Sequence, residues 1–154
     1  MASEHQFCTF FVEGSLFGIP VAEVQEVLRF QEMIAVPLAP AGVEGMLNLR
    51  GQIVIAIDLR RRLGLAERPA DDRPMNVVLR TEDGAVSLLV DKIGDVIEVE
   101  QSSFETAPQT MLGSVRAMVL GVHKLDGHLL HLLDTGKACE LGEAGAGRAD
   151  ESIS

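Results

Sequence analysis

Gly45-Met-Leu-Asn-Leu49-Arg-Gly51-Gln-Ile-Val-Ile-Ala-Ile-Asp58 returns 76 positions later as Gly121-Val-His-Lys-Leu125-Asp-Gly127-His-Leu-Leu-His-Leu-Leu-Asp134. The Gly, Leu, Gly and Asp positions are identical, and five further positions are apolar in both copies. Each copy reads as two short apolar runs around a glycine turn, the pattern of a β-hairpin. A looser pair flanks them: Leu16…Val24-Gln-Glu26-Val27 follows Gly14, and Val86…Ile93-Gly-Asp95-Val96 follows Gly84. The chain is thus a duplicated half of about 60–65 residues, each a set of short strands around tight turns. Two such copies predict an all-β fold of two small barrels packed together.

Outward from the repeat, residues 7–12 and 16–19 flank Glu13-Gly14-Ser15 and predict a hairpin. Residues 22–28 have apolar side chains at Val24, Val27 and Leu28, which suits a short helix or a bulged strand equally. Asp58 is placed to cap a short helix through Leu63, with Gly64 as its stop. A polar connector, 66–74, leads to a further hairpin, 76–80 with 86–90, and a strand at 96–99. Residues 101–113 read as a loop, and 115–123 and 129–133 as strands. The residues after Cys139 are small and acidic, and 140–154 reads as a flexible acidic tail.

Composition narrows the function. Thirteen Lys and Arg against 23 Asp and Glu give a net charge of −10, which argues against a nucleic-acid protein. Cys8 and Cys139 are 131 positions apart, so there is no disulfide framework or paired-cysteine motif, as suits a reducing cytosol. The longest apolar run, Ile53 to Ile57, is far too short to span a bilayer, and the first residues lack signal-peptide character. The chain reads as a soluble cytoplasmic protein. No catalytic, cofactor-binding or metal-binding residues emerge. There is no phosphate loop or nucleophile elbow, and His5, His123, His128 and His131 are read as scattered surface or boundary residues. Cys8, in an apolar run, is read as buried and inert.

Two places offer a choice. Arg50 precedes Gly51 where a tight hairpin favours Asn or Asp, and the repeat has Asp126 there. Arg50 either pairs with a carboxylate, such as Asp58 or an acid on the other barrel, or marks a binding surface. Likewise Val24 and Val27 are either core residues, or an exposed aliphatic patch beside Glu26 that docks a protein.

The segments from Phe7 to Val27, from Gly42 to Arg60, from Val86 to Val96 and from Gly121 to Leu133 together resemble the CheW-like family. The Asn48-Leu-Arg-Gly…Asp58-Leu-Arg60 stretch carries most of the likeness, which spans residues 7–139. The resemblance implies two SH3-like, five-stranded barrels around a shared apolar junction, with short helices. The half-repeats would fall at about 7–65 and 76–139. It also implies a non-catalytic adaptor that couples the cytoplasmic tips of methyl-accepting chemoreceptors to the histidine kinase CheA, recruited to receptor arrays at the inner face of the membrane. By the same resemblance, Val24, Glu26 and Gly45 match kinase-coupling positions, and Val27, Arg50, Gly51 and Val96 match positions at the receptor contact. Ser87 and His131 depart from the family pattern, which usually has glycine and an aliphatic residue there. The alternative is a stand-alone β-barrel interaction adaptor of another two-component or motility pathway; an enzyme or small-ligand binder would need a convergent polar cluster that the sequence lacks.

Overall fold

In the computed structural model, which describes residues 5–82 and 84–140, strands dominate. Alternation along the repeated hairpin explains why. In β4 (Val43–Leu49) every second residue, Val43, Gly45, Leu47 and Leu49, is buried, while Glu44 and Asn48 face solvent. A period of two buries one face of a strand and does not suit a helix. β4 pairs with β5 (Gln52–Asp58) through a two-residue turn, Leu49 opposite Gln52. The second copy repeats this: β10 (Val119–Leu125) pairs with β11 (His128–Leu133), Leu125 opposite His128.

Both copies also carry the same irregularity. The register shifts between Val43 and Gly45 in one hairpin, and between Val119 and Gly121 in the other. Beside each bulge another segment crosses. Ile34 bridges Met46 with two N–H···O bonds of 2.8 Å. Glu105, in β9 (Phe104–Glu105), pairs with Val122, the repeat counterpart of Met46. A Cβ on Gly45 would lie 2.8 Å from the Ile34 carbonyl oxygen, and one on Gly121 2.6 Å from that of Glu105. The shared glycine is therefore required by a close backbone approach.

The remaining strands are β1 (Gln6–Val12), β2 (Ser15–Pro20), β3 (Val24–Leu28), β6 (Met75–Thr81), β7 (Gly84–Val90) and β8 (Lys92–Glu98). They form a five-stranded sheet, β3-β6-β7-β5-β4, and a six-stranded one, β8-β1-β2-β11-β10-β9. Antiparallel pairing holds everywhere except β5–β7 and β2–β11. Those two parallel ladders join the sequence halves, because β6–β7 docks beside β5 and β1–β2 docks beside β11. The arrangement is barrel-like, but the sheets are not closed, and the first strand count is six rather than the expected five in the sheet that gains β9.

Burial sorts into three clusters. Leu47, Val54, Val78 and Leu89 fill the five-stranded unit. Phe7, Leu16, Leu130 and Leu132 fill the six-stranded one. The largest cluster draws Phe10, Phe17 and Ile19 from one sheet and Ile57, Leu79 and Leu88 from the other, so the apolar junction is shared.

Among the described residues, three short helices sit at strand ends. Asp58 caps α1 (Leu59–Arg62) by accepting the Arg60 N–H at 3.1 Å, and Gly64 stops the chain at φ +73°. Asp134 caps α3 (Thr135–Ala138) in the same way, through the Lys137 N–H at 3.2 Å. The Arg62 guanidinium donates to the carbonyls of Lys137 (2.7 Å), Ala138 (3.2 Å) and Glu140, and so clamps α1 to α3. The 22–28 segment resolves into a 3₁₀ turn, Val21–Glu23, and a bulged β3. Two sequence readings are corrected. The expected loop 101–113 contains a 3₁₀ turn, Gln101–Ser103, and β9; the expected strand 115–123 begins inside α2 (Gly113–Arg116) and becomes β10 only at Val119. A two-residue strand and a one-turn helix are too short to print a periodicity. Most of the acidic tail, 141–154, lies outside the described residues.

Candidate functional site

The turn between β4 and β5 places Arg50 and Gly51 at φ +52° and +90°. Both values are left-handed, the type I′ pattern that matches strand twist. For a residue with a Cβ this conformation costs roughly 1–2 kcal/mol, which is why Asn or Asp usually stands there. Asn48 Oδ1 accepts the Gly51 N–H at 2.9 Å. Arg50 Nη2 hydrogen-bonds and ion-pairs with Glu26 Oε2. The Arg50 side chain remains 67% exposed and that of Glu26 23%. So Arg50 does pair with an acid, but with neither Asp58 nor an acid of the other sheet. Glu26 lies on β3, the opposite edge of the same sheet, and curvature of the sheet brings the two edges together.

Val27, next to Glu26, is exposed at 39%. Val24 is half-buried and packs against the junction cluster, so the exposed aliphatic patch includes Val27 but not Val24. The bulge between Val24 and Glu26 separates these two roles within five residues. Gly45 sits at the β4 bulge, beneath Ile34. Val96, at 60% exposure, lies on β8 of the other sheet. In the looser repeat it is the counterpart of Val27, so the two halves present equivalent edge valines on separate sheets.

An ionic network escaped the sequence reading. Asp91, after β7, receives Arg60 Nη2 at 2.7 Å, Arg68 Nη2 at 3.0 Å and the Glu13 N–H at 2.7 Å. Arg68 also reaches Asp58 at 3.5 Å. Burial pushes the Asp91 carboxyl up, but the hydrogen bonds from Arg60, Glu13 and Arg68 outweigh it and hold the group below its ordinary value. Hydrogen bonding to Asp91 raises the Arg60 guanidinium in turn. The network ties the β1–β2 turn, α1 and the connector together. Asp58-Leu-Arg60 was visible in the sequence, but its partner lies 31 residues away.

His123 departs from the expected surface or boundary position. It is buried, not at the surface, with Nδ1 2.6 Å from Ser103 Oγ and its ring between Phe7 and Phe104 at centroid distances of 5.9 and 5.5 Å. Burial, aided by nearby His5, lowers its proton affinity. The family departures are accommodated. The buried Ser87 hydroxyl donates to Asn76 Oδ1 at 2.7 Å, and Asn76 donates to the Arg29 carbonyl at 3.0 Å. His131 Nδ1 lies 2.8 Å from the Leu16 carbonyl oxygen. Cys8 is half-buried rather than buried, and its thiol is raised by burial; burial pushes the Cys139 thiol up to about 11. Among the described residues no cluster of three His, Cys, Asp or Glu could hold a metal ion.

A groove of about 1260 Å³ is lined by Ile53, Ile55, Val86 and Cys139 together with the charged Glu23 and Arg80. Ile53 is exposed at 55% and lies just after the Arg50 turn.

The CheW-like domain family matches residues 6–141. The chain is 33% identical to the chemotaxis protein CheW of Treponema pallidum (strain Nichols) over 138 residues, covering 87% of this chain and 81% of the relative. It is 31% identical to the chemotaxis protein CheW of Bacillus subtilis (strain 168) over 125 residues, covering 81% and 80%. The crystal structure of the scaffolding protein TtCheW from Thermoanaerobacter tengcongensis superposes with a TM-score of 0.73 at 27% identity, covering 84% of this chain and 83% of that one. The match across residues 6–141, the two CheW relatives above 30% identity and the shared fold of a scaffolding protein agree, and the chain belongs to the CheW-like family of chemotaxis scaffolds.

Proposed function

We propose that this chemotaxis scaffold couples chemoreceptor cytoplasmic tips to the histidine kinase CheA, at receptor arrays on the inner face of the membrane, and catalyses no reaction itself. Val27, Arg50, Gly51 and Val96 serve the receptor contact, and Val24, Glu26 and Gly45 the kinase contact. The observation that carries this reading is Arg50. The fold holds it left-handed at some cost, leaves its guanidinium largely exposed, and does without a cation at the equivalent turn, where Asp126 stands.

The pieces suggest a mechanism. The groove beside Ile53 and Ile55 carries aliphatic residues together with the charges of Glu23 and Arg80, which suits an amphipathic receptor helix, and Arg50, on the turn that leads into β5, can offer a planar fork to a receptor carboxylate or carbonyl. Glu26 holds Arg50 until the partner competes for it. Val24 and Gly45 act from beneath: Val24 seats β3 on the core, and Gly45 lets the 28–43 segment cross β4. Control of the kinase then requires contacts that differ between its states. The strongly acidic surface fits protein partners and not nucleic acid. Among the described residues no helix is long and apolar enough to cross a membrane.

The test is a pull-down of the cognate kinase's CheW-like regulatory domain and a soluble receptor cytoplasmic fragment with this chain. Both should be retained together. Retention of neither would overturn the reading, and loss of one alone would overturn coupling.

A further inference from the structure

We propose that Asn48 is a positioning residue of the docking turn. Its side-chain oxygen, by holding the Gly51 N–H, keeps Arg50 in the left-handed conformation that presents the guanidinium to Glu26 and to a partner. The proposal rests on the docking reading of Arg50 and adds to it the residue that sets the geometry.

Three observations converge. First, only Glu13, Leu38 and Arg50 among the described non-glycine residues have positive φ. The two that lie in two-residue hairpin turns each have a turn amide captured by a side-chain oxygen. Asp91 Oδ2 takes the Glu13 N–H at 2.7 Å, and Asn48 Oδ1 takes the Gly51 N–H at 2.9 Å. Second, the repeat supplies an internal control. The counterpart of Asn48 is Lys124, a residue with no acceptor, whose Nζ turns aside to Glu105 at 3.4 Å. In that turn Asp126 is not left-handed, although Gly127 is, at φ +88°. Loss of the acceptor and loss of the left-handed first position go together. Third, Asn48 is exposed on β4. It fills no core space, so packing does not account for it.

Asn48 therefore has little to do with whether the hairpin forms. Leu47, Leu49 and Val54 bury its apolar face without help from the turn. What Asn48 fixes is the direction in which Arg50 leaves the turn. A free Gly51 amide would let the turn relax toward the Asp126-Gly127 conformation and move the guanidinium away from Glu26.

The test compares the full chain with Asn48→Ala, Asn48→Asp, Arg50→Ala and the Asn48→Ala/Arg50→Ala double variant. In Asn48→Ala, exchange of the Gly51 amide should quicken while that of Gly127 does not change, and the three-bond amide–α-proton coupling of Arg50 should report a changed φ. Asn48→Asp keeps an acceptor and should restore both signals. Affinity for a soluble receptor cytoplasmic fragment should fall about fivefold in Asn48→Ala, the worth of one net hydrogen bond. In the Arg50→Ala background the same change should cost nothing further, because it acts through Arg50. Unaltered Gly51 exchange and Arg50 coupling in Asn48→Ala would overturn the proposal, as would an equal affinity loss with and without Arg50. If Arg50→Ala itself binds like the parent, the docking reading fails, and the exchange and coupling data alone decide whether Asn48 sets the turn.

Discussion

The two copies of the repeated hairpin share what the fold needs and differ in what a partner would meet. Gly45 and Gly121, Leu49 and Leu125, Gly51 and Gly127, and Asp58 and Asp134 hold the same places and the same structural tasks. Between them the copies diverge. Arg50 corresponds to Asp126, Leu47 to His123, Arg60 to Gly136 and Arg62 to Ala138. The first copy thus carries the arginines, both those that lock the junction and the one that points out. The difference teaches that a duplicated fold keeps its turn glycines and caps, while other positions, even the buried Leu47 and His123, are free to specialise.

The largest expected effect concerns the lock. Asp91→Ala strands two mostly buried guanidinium groups and should cost about 2–3 kcal/mol in chemical unfolding. Asp134→Ala, in the second copy, loses only a helix cap and should cost about 1 kcal/mol. Equal costs would mean that the arginine network adds nothing to the first copy. The network also has a pH signature. Asp91 is held below its ordinary 3.8, so the unfolded chain binds that proton more tightly than the folded one. Its stabilisation is complete above pH 3.8 and is lost as pH falls through the folded value. Asp91→Asn should flatten this acid limb.

Next comes what the copies share. Gly45→Ala and Gly121→Ala each press a methyl group into a crossing backbone and should each lower stability by about 1–3 kcal/mol. A cost at one position only would break the equivalence of the two bulges. Arg50→Asn should move stability by less than about 1 kcal/mol, on the favourable side, because Asn tolerates the left-handed turn and the exposed ion pair is worth little. A loss of 2 kcal/mol or more would make Arg50 a structural residue. The smallest effect belongs to His123, whose proton affinity burial lowers below 6.5. The unfolded state takes up this proton first, so stability should decline as pH drops below 6.5 and level off below the folded value. His123→Leu, which installs the residue found at Leu47, should remove that slope between neutral and mildly acidic pH.

Local signals were legible in the sequence. The hairpin turns, the Asp58 cap and the Gly64 stop follow from residues a few positions apart, and the duplication from a repeat 76 positions on; they led to the all-β fold, while the shared junction came from the family resemblance. Exchange of hairpins between the halves was not legible, because the β5–β7 and β2–β11 ladders join residues far apart with no turn between them. The same holds for β9, whose two residues are placed by Val122 and His123 and not by their own pattern. Arg50 and Glu26 were each singled out, but their pairing depends on the curvature of a sheet that brings its edges together. Val24 shows the opposite limit: its sequence fits a core residue or an exposed patch equally, and only the bulge after it settles it half-buried against the junction, with Val27 left exposed.

The central claim is that the Arg50 turn is a docking element and not a structural one. Affinity of Arg50→Ala for a soluble receptor cytoplasmic fragment, measured beside its unfolding midpoint, tests this most directly. Loss of a charge-assisted hydrogen bond at the interface predicts weaker binding by about 1.5–3 kcal/mol, with stability within about 1 kcal/mol of the parent. Binding equal to the parent, or a stability loss of several kcal/mol, would contradict it.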